Sequence, residues 1–333
     1  MSGPTLALTQ GDPAGIGPEL LLRLLAGPDL ERAWKPLLFA ERAALERAAE
    51  GLEGAGAVLE RCRFVASAPS GPSTGEEVVV VDPVGRARPM EPGNSREEDA
   101  RGALAALDAA VAAVRTGSAE GLVTLPVSKA SIARHCRPEF RGHTEYLAAA
   151  CGLERYGRDY LMAFLAPRLR VALLTTHLPL RRALDAVTEQ SVLEAVLCLH
   201  RHRGGRIAVA GLNPHAGEEG LLGDEDRQIV APAIERARAE GVDVSGPEPP
   251  DTVFSRARRG LFDWVLALYH DQGLVAVKTL AFGEAVNWTL GLPFVRTSVD
   301  HGTAFDIAGR GRADVAPLRR VVEVTVDLVS GSR

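Results

Sequence analysis

Residues 5–27 have the sequence TLALTQGDPAGIGPELLLRLLAG, which joins a short apolar run to a leucine-rich segment through a glycine-bearing loop. The apolar run predicts a strand. The leucine-rich segment predicts a helix, because Pro18 lies in its first turn and Gly27 follows its last apolar residue. A strand joined to a helix by a short loop is the repeating unit of an α/β fold.

The same alternation continues along the chain. Helical patterns occupy 185–203 and 224–240, and Pro232 is expected to divide or bend the second of them. Further apolar runs that end in turn residues predict strands in GLVTLPV (121–127), LRVALLTTH (169–177), GRIAVAGLN (205–213) and DWVLALYH (263–270). We therefore predict an α/β protein made of βαβ units.

The length of 333 residues exceeds that of one average domain. We predict two α/β/α lobes with a ligand-binding cleft between them. The first lobe is expected to comprise residues 1–125 and 285–333, and the second residues 126–284.

The composition excludes several classes of protein. A net charge of -5 and an isoelectric point near 6.0 give no electrostatic footprint for nucleic acid. No segment approaches the roughly 18 consecutive apolar residues of a membrane span, and the N-terminus lacks a signal-peptide pattern. The four cysteines have no Cys-x-x-Cys spacing and predict no disulfide framework. We expect a cytoplasmic protein that binds neither nucleic acid nor a membrane.

Three of the eight histidines, His177, His215 and His270, each follow an apolar run at the point where turn residues begin. Reactive groups gather beyond the carboxyl ends of parallel strands, so these imidazoles predict a divalent metal site. Imidazole suits zinc, cobalt and related ions, and an all-histidine set leaves positions open for a substrate oxygen. Each histidine alone is equally well explained as a structural ring that is hydrogen-bonded to backbone.

A glycine-bearing loop, GDPAGIGPE (11–19), is a candidate for cofactor binding. Gly15 and Gly17 precede a helix N-terminus, whose free N–H groups and dipole favour an anion. The spacing differs from that of the dinucleotide fingerprint, and a tight turn that requires glycine is the competing interpretation. Asp12 and Glu19 flank the turn and can either place a cofactor or cap the helix.

A second candidate for cofactor binding is the loop DHGTAFDIAGRGRAD (300–314), which contains His301, Gly302 and Asp306. The carboxylate of Asp306 can accept hydrogen bonds from a ribose 2′-hydroxyl, which favours NAD over its phosphorylated form. A structural loop is the alternative interpretation.

Cations and polar groups near the predicted strands and helix ends favour a small dianionic or carboxylate-bearing substrate. Each residue alone is typical of a protein surface. Lys129 is a weaker candidate, because a first-turn lysine opposes the helix dipole and needs another reason to be there. The main candidate substrate-binding residues are His143, Thr144, Lys278, Asn287 and Arg296.

Two local predictions concern the middle of the first lobe. Residues 66–93, rich in Pro, Gly and Ser, are expected to form a variable surface excursion around one short strand. Ser95 and Glu98 have the spacing of a capping box, which predicts a helix that Gly117 ends.

The chain resembles the 4-hydroxythreonine-4-phosphate dehydrogenases of vitamin B6 biosynthesis, the PdxA family, over nearly its whole length. Two motifs, GIGPE and HGTAFDIAG, also resemble isocitrate and isopropylmalate dehydrogenases. The resemblance rests on motifs in consistent order: GDPAGIGPE, GHTEYLA, TTHLPL, GLNPHAGE, PDTVF, YHDQG, EAVNWTLGLPFVRTS and DHGTAFDIAGRGRAD. The chain departs from the family at Leu125, where glycine is common, and Arg141 precedes the GHTEYLA motif.

The resemblance implies that His177, His215 and His270 bind a divalent ion (zinc, cobalt or magnesium) in a site that two subunits of a homodimer share. It places NAD at DHGTAFDIAG (300–309) in the first lobe, and the metal ligands and dimer contacts in the second. It implies that the substrate binds to His143, Thr144, Lys278, Asn287 and Arg296.

The implied reaction is the NAD-dependent oxidation and decarboxylation of 4-phosphooxy-L-threonine to 3-amino-2-oxopropyl phosphate. Asp271, Asp251 and Lys278 are the candidate catalytic residues, and either aspartate can orient a ligand imidazole or relay a proton. Related phosphorylated hydroxy acids or a dihydrodiol are alternative substrates. The alternatives of other classes are a metal-dependent hydrolase, an acyltransferase and a non-catalytic phosphate-binding protein.

Overall fold

The structure, a computed structural model, describes residues 3–27, 34–69 and 77–331. Its strands are β1 (Thr5–Thr9), β2 (Lys35–Phe39), β3 (Cys62–Val65), β4 (Val78–Val81), β5 (Gly121–Thr124), β6 (Leu161–Ala166), β7 (Leu169–Leu173), β8 (Ile207–Ala210), β9 (Val244–Glu248), β10 (Trp264–Ala267), β11 (Val286–Leu290) and β12 (Val295–Ser298).

Its helices are α1 (Gly17–Ala26), α2 (Arg42–Ala49), α3 (Ala55–Glu60), α4 (Glu97–Arg115), α5 (Lys129–His135), α6 (His143–Ala150), α7 (Leu180–Ala186), α8 (Glu189–Arg203), α9 (Ala231–Ala239), α10 (Val253–Arg258), α11 (His270–Ala281) and α12 (Ala316–Val329). The predicted α/β class is confirmed. A π-helical turn, Asp226–Val230, precedes α9, and Pro232 lies just after that change of geometry.

The chain forms two compact units. Unit 1 comprises Met1–Leu147 and Phe294–Arg333, and unit 2 comprises Ala148–Pro293. The division drawn from the sequence placed residues 126–147 with the second lobe and 285–293 with the first. In the structure, the side chains of Ile132 and Phe140 pack against α4, and β11 pairs with β6.

Unit 1 contains a parallel sheet in the order β3-β4-β2-β1-β5-β12. α4 packs on β1 and β5, and α12 packs on β5 and β12. β1 and β5 are buried along their whole length, so their apolar residues are consecutive (Leu6–Leu8 and Leu122–Val123) rather than at every second position. All carboxyl ends therefore lie at one edge of this sheet.

Unit 2 contains a mixed sheet in the order β11-β6-β7-β10-β8-β9. β7, β10, β8 and β9 are parallel, whereas β6 runs antiparallel to both β7 and β11. α11 packs on β6, β7 and β10, and buries Leu274 and Val277 in an apolar core with Val171 and Val265.

The predicted capping box at Ser95 and Glu98 was wrong. α4 begins after the N-cap residue Arg96, whose N–H donates to the Asp99 carboxylate at 2.8 Å. The hydroxyl of Ser95 instead donates to the carboxylate of Asp12 at 2.7 Å. The helix ends at Arg115, close to the predicted Gly117.

The predicted surface excursion at 66–93 is correct only in part, and 70–76 lies outside the described residues. Arg88 in this stretch has a buried side chain. Its guanidinium donates to both oxygens of Glu41, at 2.6 and 2.9 Å, and pairs with Asp99 at 2.7 Å. Among the described residues, no helix has the length and apolar character that crossing a membrane requires.

Candidate active site

The three predicted metal ligands follow three neighbouring parallel strands of unit 2. β10 pairs with β7 on one side and with β8 on the other. His177 follows β7, His270 follows β10, and His215 follows β8. The ring centroids of His177 and His270 are 5.4 Å apart, with an angle of 44° between the ring planes.

The loops that carry His177 and His270 are joined two residues before each histidine. The hydroxyl of Thr175 donates to the backbone carbonyl of Leu268 at 2.9 Å. Thr175 is buried, so this bond is protected from competition with water. The two loops that lead to His177 and His270 are therefore held together at this point.

Gln272 links the His270 loop to the end of the strand that leads to His215. Its Oε1 accepts from the N–H of Leu268, and its Nε2 donates to the carbonyl of Gly211, both at 2.7 Å. A neutral amide supplies both an acceptor and a donor, which a carboxylate cannot do. The sequence analysis missed this residue, although its amide in the first turn after a strand was the available signal.

His215 is exposed and lies in a strained stretch of backbone. From 215 to 219 the φ angles lie between 42° and 85°, in the left-handed region that is costly for residues other than glycine. The buried carboxylate of Asp226 holds the start of this turn, because it accepts from the N–H groups of Leu212 and Asn213 at 2.7 and 2.9 Å. Strain of this kind persists where the surrounding structure enforces it, often at functional sites.

The metal-site prediction can be tested against the side chains of one chain. Across 3–27, 34–69 and 77–331, no three His, Cys, Asp or Glu side chains are grouped closely enough to hold an ion. One chain supplies a pair of imidazoles, His177 and His270, and a pair of nitrogen ligands fits zinc or cobalt as part of a larger set.

The two candidate aspartates differ in what they contact. Asp271 Oδ1 lies 2.7 Å from Nδ1 of His270. A carboxylate in this position fixes the tautomer of the ring and leaves Nε2 to face a ligand. Asp251 is exposed in the loop between β9 and α10. Of the two, the geometry connects Asp271 with a predicted metal ligand.

Asn287 and Lys278 do not lie at the histidine edge of unit 2. Asn287 in β11 pairs with Phe164 in β6, and Phe164 pairs with Val171, the middle residue of β7. Lys278 is eight residues after the start of α11, which corresponds to about 12 Å along the helix. The amide oxygen of Asn287 is buried and has no hydrogen-bond partner among the described residues.

The other predicted substrate residues, His143, Thr144 and Arg296, belong to unit 1, and the side chain of Arg296 reaches the carboxyl end of β5. Arg296 is buried, and its Nη2 and Nε donate to the hydroxyl of Thr124 at 2.5 and 3.2 Å. His143 and the buried Thr144 form the first turn of α6. Nε2 of His143 is buried without a hydrogen-bond partner in the described structure.

The electrostatics of this cluster favour an anion. Burial lowers the pKa of His143 well below its usual value, and the nearby charges of Arg296 and Lys129 lower it further. Burial also lowers the pKa of Arg296, while Glu145 partly opposes this shift. A neutral imidazole beside two cations offers a hydrogen-bonding ring without adding a third positive charge.

Gly15 and Gly17 lie where backbone segments approach closely. A Cβ at position 17 would be 1.8 Å from the carbonyl oxygen of Gln10, and one at position 15 would be 3.0 Å from that of Thr303. The N–H of Ile16 donates to the same Thr303 oxygen at 3.1 Å. The two predicted cofactor loops therefore contact each other, and a tight turn accounts for Gly17.

Glu19 of α1 holds the 300–314 loop through a hydrogen bond to its backbone. This buried carboxylate accepts from the N–H of Ala313 at 2.9 Å and from Nε of Arg23 at 3.0 Å. Asp306 and Gly302 are exposed, and Nδ1 of His301 lies 3.1 Å from the carbonyl of Gly302. Glu19 therefore supports the loop, and Asp306 stays accessible to a ligand.

The carboxylate of Asp12 connects three segments of unit 1. It accepts from the N–H of Ala14 at 3.0 Å, from the hydroxyl of Ser95 at 2.7 Å and from the backbone of Ser128. Burial raises the pKa of Asp12, and these hydrogen bonds oppose the shift. The glycine loop, the start of α4 and the start of α5 are thereby held together.

Comparison with known proteins identifies the family. A sequence profile described as "Pyridoxal phosphate biosynthetic protein PdxA" matches residues 32–325. The chain belongs to the PdxA family. A PdxA-family relative from Chromobacterium violaceum, named 4-hydroxythreonine-4-phosphate dehydrogenase, is 44% identical over 98% of this chain and 97% of its own length.

Solved structures agree with this PdxA-family membership. A 4-hydroxythreonine-4-phosphate dehydrogenase from Klebsiella pneumoniae matches with a TM-score of 0.84 and 34% identity over 98% of each chain. A terephthalate 1,2-cis-dihydrodiol dehydrogenase from Burkholderia xenovorans matches with a TM-score of 0.64 and 28% identity over 97% of each chain. The chain is an oxidoreductase, as predicted, and its family acts in pyridoxal phosphate biosynthesis. The comparisons do not support the alternatives of a hydrolase, an acyltransferase or a non-catalytic phosphate-binding protein.

Proposed function

We propose that this chain catalyses the NAD-dependent oxidation and decarboxylation of 4-phosphooxy-L-threonine to 3-amino-2-oxopropyl phosphate in pyridoxal phosphate biosynthesis. The observation that carries the proposal is the position of His177, His215 and His270, after three neighbouring parallel strands of a PdxA-family chain. The predicted cytoplasmic location stays a prediction.

We assign His177, His215 and His270 as the ligands of one divalent ion, zinc, cobalt or magnesium, in a site that two subunits of a homodimer complete. When bound, such an ion supplies a Lewis acid that lowers the pKa of the substrate hydroxyl. The pair of imidazoles that one chain brings together supports the metal assignment, since the ring centroids of His177 and His270 are 5.4 Å apart.

The remaining residues hold the substrate and move its proton. Arg296 and Lys278 supply charge for the phosphate and carboxylate, and Asn287 supplies an amide. His143 and Thr144 present a neutral ring, a hydroxyl and the N–H groups of the first turn of α6. Asp271 orients the ring of His270, while Asp251 and Lys278 are the proposed sites of proton transfer.

NAD is proposed to bind at the 300–314 loop together with the loop of Gly15 and Gly17, whose mutual contact supports one continuous surface. Asp306→Ala should raise the KM for NAD about 10- to 100-fold, which corresponds to the loss of hydrogen bonds to a charged group. The KM for the hydroxy acid should stay unchanged. Initial-rate kinetics at varied NAD measure this, and an unaltered KM for NAD would remove Asp306 from the site.

The decisive test of function is a substrate panel with purified holoenzyme and NAD. NADH formation should be fastest with 4-phosphooxy-L-threonine, and slower with phosphorylated threonate or erythronate. Mass spectrometry should detect 3-amino-2-oxopropyl phosphate and carbon dioxide in equal amounts. A higher kcat/KM for a phosphorylated threonate or erythronate would assign the same chemistry to that acid instead.

A dihydrodiol is the second candidate substrate. It is favoured by the similarity to the terephthalate 1,2-cis-dihydrodiol dehydrogenase along nearly the whole chain. The carboxylates of such a substrate would also suit the buried Arg296. NADH formation from a terephthalate dihydrodiol, with none from a phosphorylated acid, would establish this alternative.

A further inference from the structure

Lys129 occupies a fixed position at the carboxyl end of β5. It is the first residue of α5, directly after Ser128, whose hydroxyl accepts from the N–H of Ser131 and caps the helix. The backbone of Ser128 is in turn held by the buried carboxylate of Asp12. The backbone at Lys129 is therefore fixed from two sides, although its side chain is exposed.

The side chain of Lys129 lies across the start of α6. A Cβ on Gly142 would be 3.2 Å from Cε of Lys129 and 3.4 Å from its Nζ. The same position is 3.4 Å from Oε2 of Glu145. Glycine at 142 leaves the space that the lysine occupies, and its φ of +152° is one that glycine adopts readily. The ammonium group is thus brought to the first turn of α6.

The surroundings of this ammonium group are built for an anion. The first turn of α6 presents the N–H groups that no helical carbonyl accepts. Nε2 of His143 is buried there without a partner in the described structure, and the guanidinium of Arg296 is close enough to act on the same ring. Lys129 and Arg296 carry two positive charges and Glu145 carries one negative charge, which leaves the cluster positive.

We propose that Lys129 is a further substrate-binding residue, whose ammonium group donates to the phosphoryl group of the substrate beside His143, Thr144 and Arg296. This inference rests on the proposed function. A phosphoryl group suits the cluster better than a single carboxylate does, because three oxygens and a double negative charge match several convergent donors. A compact ammonium at the rim acts as a point charge on such a group.

A role in fold stability does not account for Lys129. A cation in the first turn of a helix is repelled by the positive end of the helix dipole, so it destabilises α5. Lys129→Met should therefore leave the thermal unfolding midpoint unchanged or raise it slightly. That readout separates a binding residue from a structural one.

The test compares Lys129→Met with Arg134→Met in the holoenzyme. Both changes remove one exposed cation from α5, but Arg134 lies in its last turn, away from the cluster. Lys129→Met should raise both the inhibition constant of inorganic phosphate and the KM for 4-phosphooxy-L-threonine about 10- to 100-fold, since the variant loses a charged hydrogen bond. kcat should change little, Arg134→Met should match the parent, and Lys129→Arg should recover part of the loss.

The binding of inorganic phosphate can be measured independently of the proposed reaction. Calorimetric titration with phosphate needs no turnover, so it applies even if another substrate is found. Unchanged phosphate affinity in Lys129→Met, or equal losses in Lys129→Met and Arg134→Met, would overturn the inference. A parent protein that binds no phosphate would overturn it as well.

Discussion

Replacement of His215 by alanine is expected to remove the bound metal ion and the turnover together while the fold is kept. His215 is exposed in the turn that follows β8, so the loss of its ring leaves no cavity in the core. Removal of a group that only orients a metal ligand typically lowers metal affinity 10- to 100-fold, so loss of the ligand itself should exceed about 100-fold. Metal content by elemental analysis and kcat/KM measure the two effects.

The backbone at His215 requires a second variant. Its φ of +50° is unfavourable for alanine, so His215→Ala adds strain to the loss of the ring. Asparagine tolerates this region better, and His215→Asn should lose zinc or cobalt to the same extent with less effect on thermal stability.

The control for His215 is His200→Ala, which removes an exposed histidine from the last turn of α8 in the same unit. It should retain metal and activity. Normal turnover in a chelated, metal-free preparation of the parent would refute the Lewis-acid role. Full metal content in His215→Ala would instead remove this residue from the ligand set.

The sequence was sufficient to predict the order of strands and helices wherever an apolar pattern is bounded by glycine, proline or other turn residues. The segment 5–27 forms β1 and α1 as expected, and the runs that end before His177, His215 and His270 form β7, β8 and β10. The sheet then makes those three strands neighbours. That adjacency comes from long-range pairing, which local residue patterns do not encode.

The sequence did not predict the connections between segments. Gln272, Asp12 and Glu19 each make a hydrogen bond to a group that is distant in the chain: the carbonyl of Gly211, the hydroxyl of Ser95 and the N–H of Ala313, respectively. Their residue types are also those of ordinary caps and surface positions, so composition and spacing cannot distinguish the roles. The same limit applies to Lys129, whose position beside His143 depends on how α5 and α6 meet in unit 1.

Arg88 is buried although it lies in a Pro-, Gly- and Ser-rich stretch that was expected at the surface. Its replacement by methionine should destabilise unit 1 strongly. Burial disfavours its charge, but Glu41 and Asp99 outweigh that effect and raise the pKa of Arg88. Gly102 of α4 provides the space, since a Cβ there would be 1.9 Å from Oε1 of Glu41. Arg88→Met keeps much of the volume but leaves two carboxylates buried without their cation, which typically costs about 3–5 kcal/mol of unfolding free energy.

A matched control, Arg86→Met, removes the same charge from an exposed ion pair instead of a buried one. Nη2 of Arg86 lies 3.0 Å from Oε1 of Glu98 in an exposed ion pair. Arg86→Met breaks this pair and should change the unfolding free energy by less than about 1 kcal/mol. Denaturant unfolding of both variants gives the comparison. Equal midpoints for Arg88→Met and Arg86→Met would contradict the prediction that the buried network of Arg88, Glu41 and Asp99 stabilises unit 1.

The double variant Arg88→Met with Glu41→Gln tests the cause of the loss. If the destabilisation comes from uncompensated negative charge, removing one of the two carboxylates should restore part of the stability lost in Arg88→Met. Glu41 also has its backbone N–H bonded to Oε1 of Gln10, at 2.9 Å, and Gln10 directly precedes the loop of Gly11 and Asp12. A charge-driven loss in Arg88→Met should therefore loosen that loop and raise the KM for NAD. If instead only packing were lost, the double variant would be less stable than Arg88→Met.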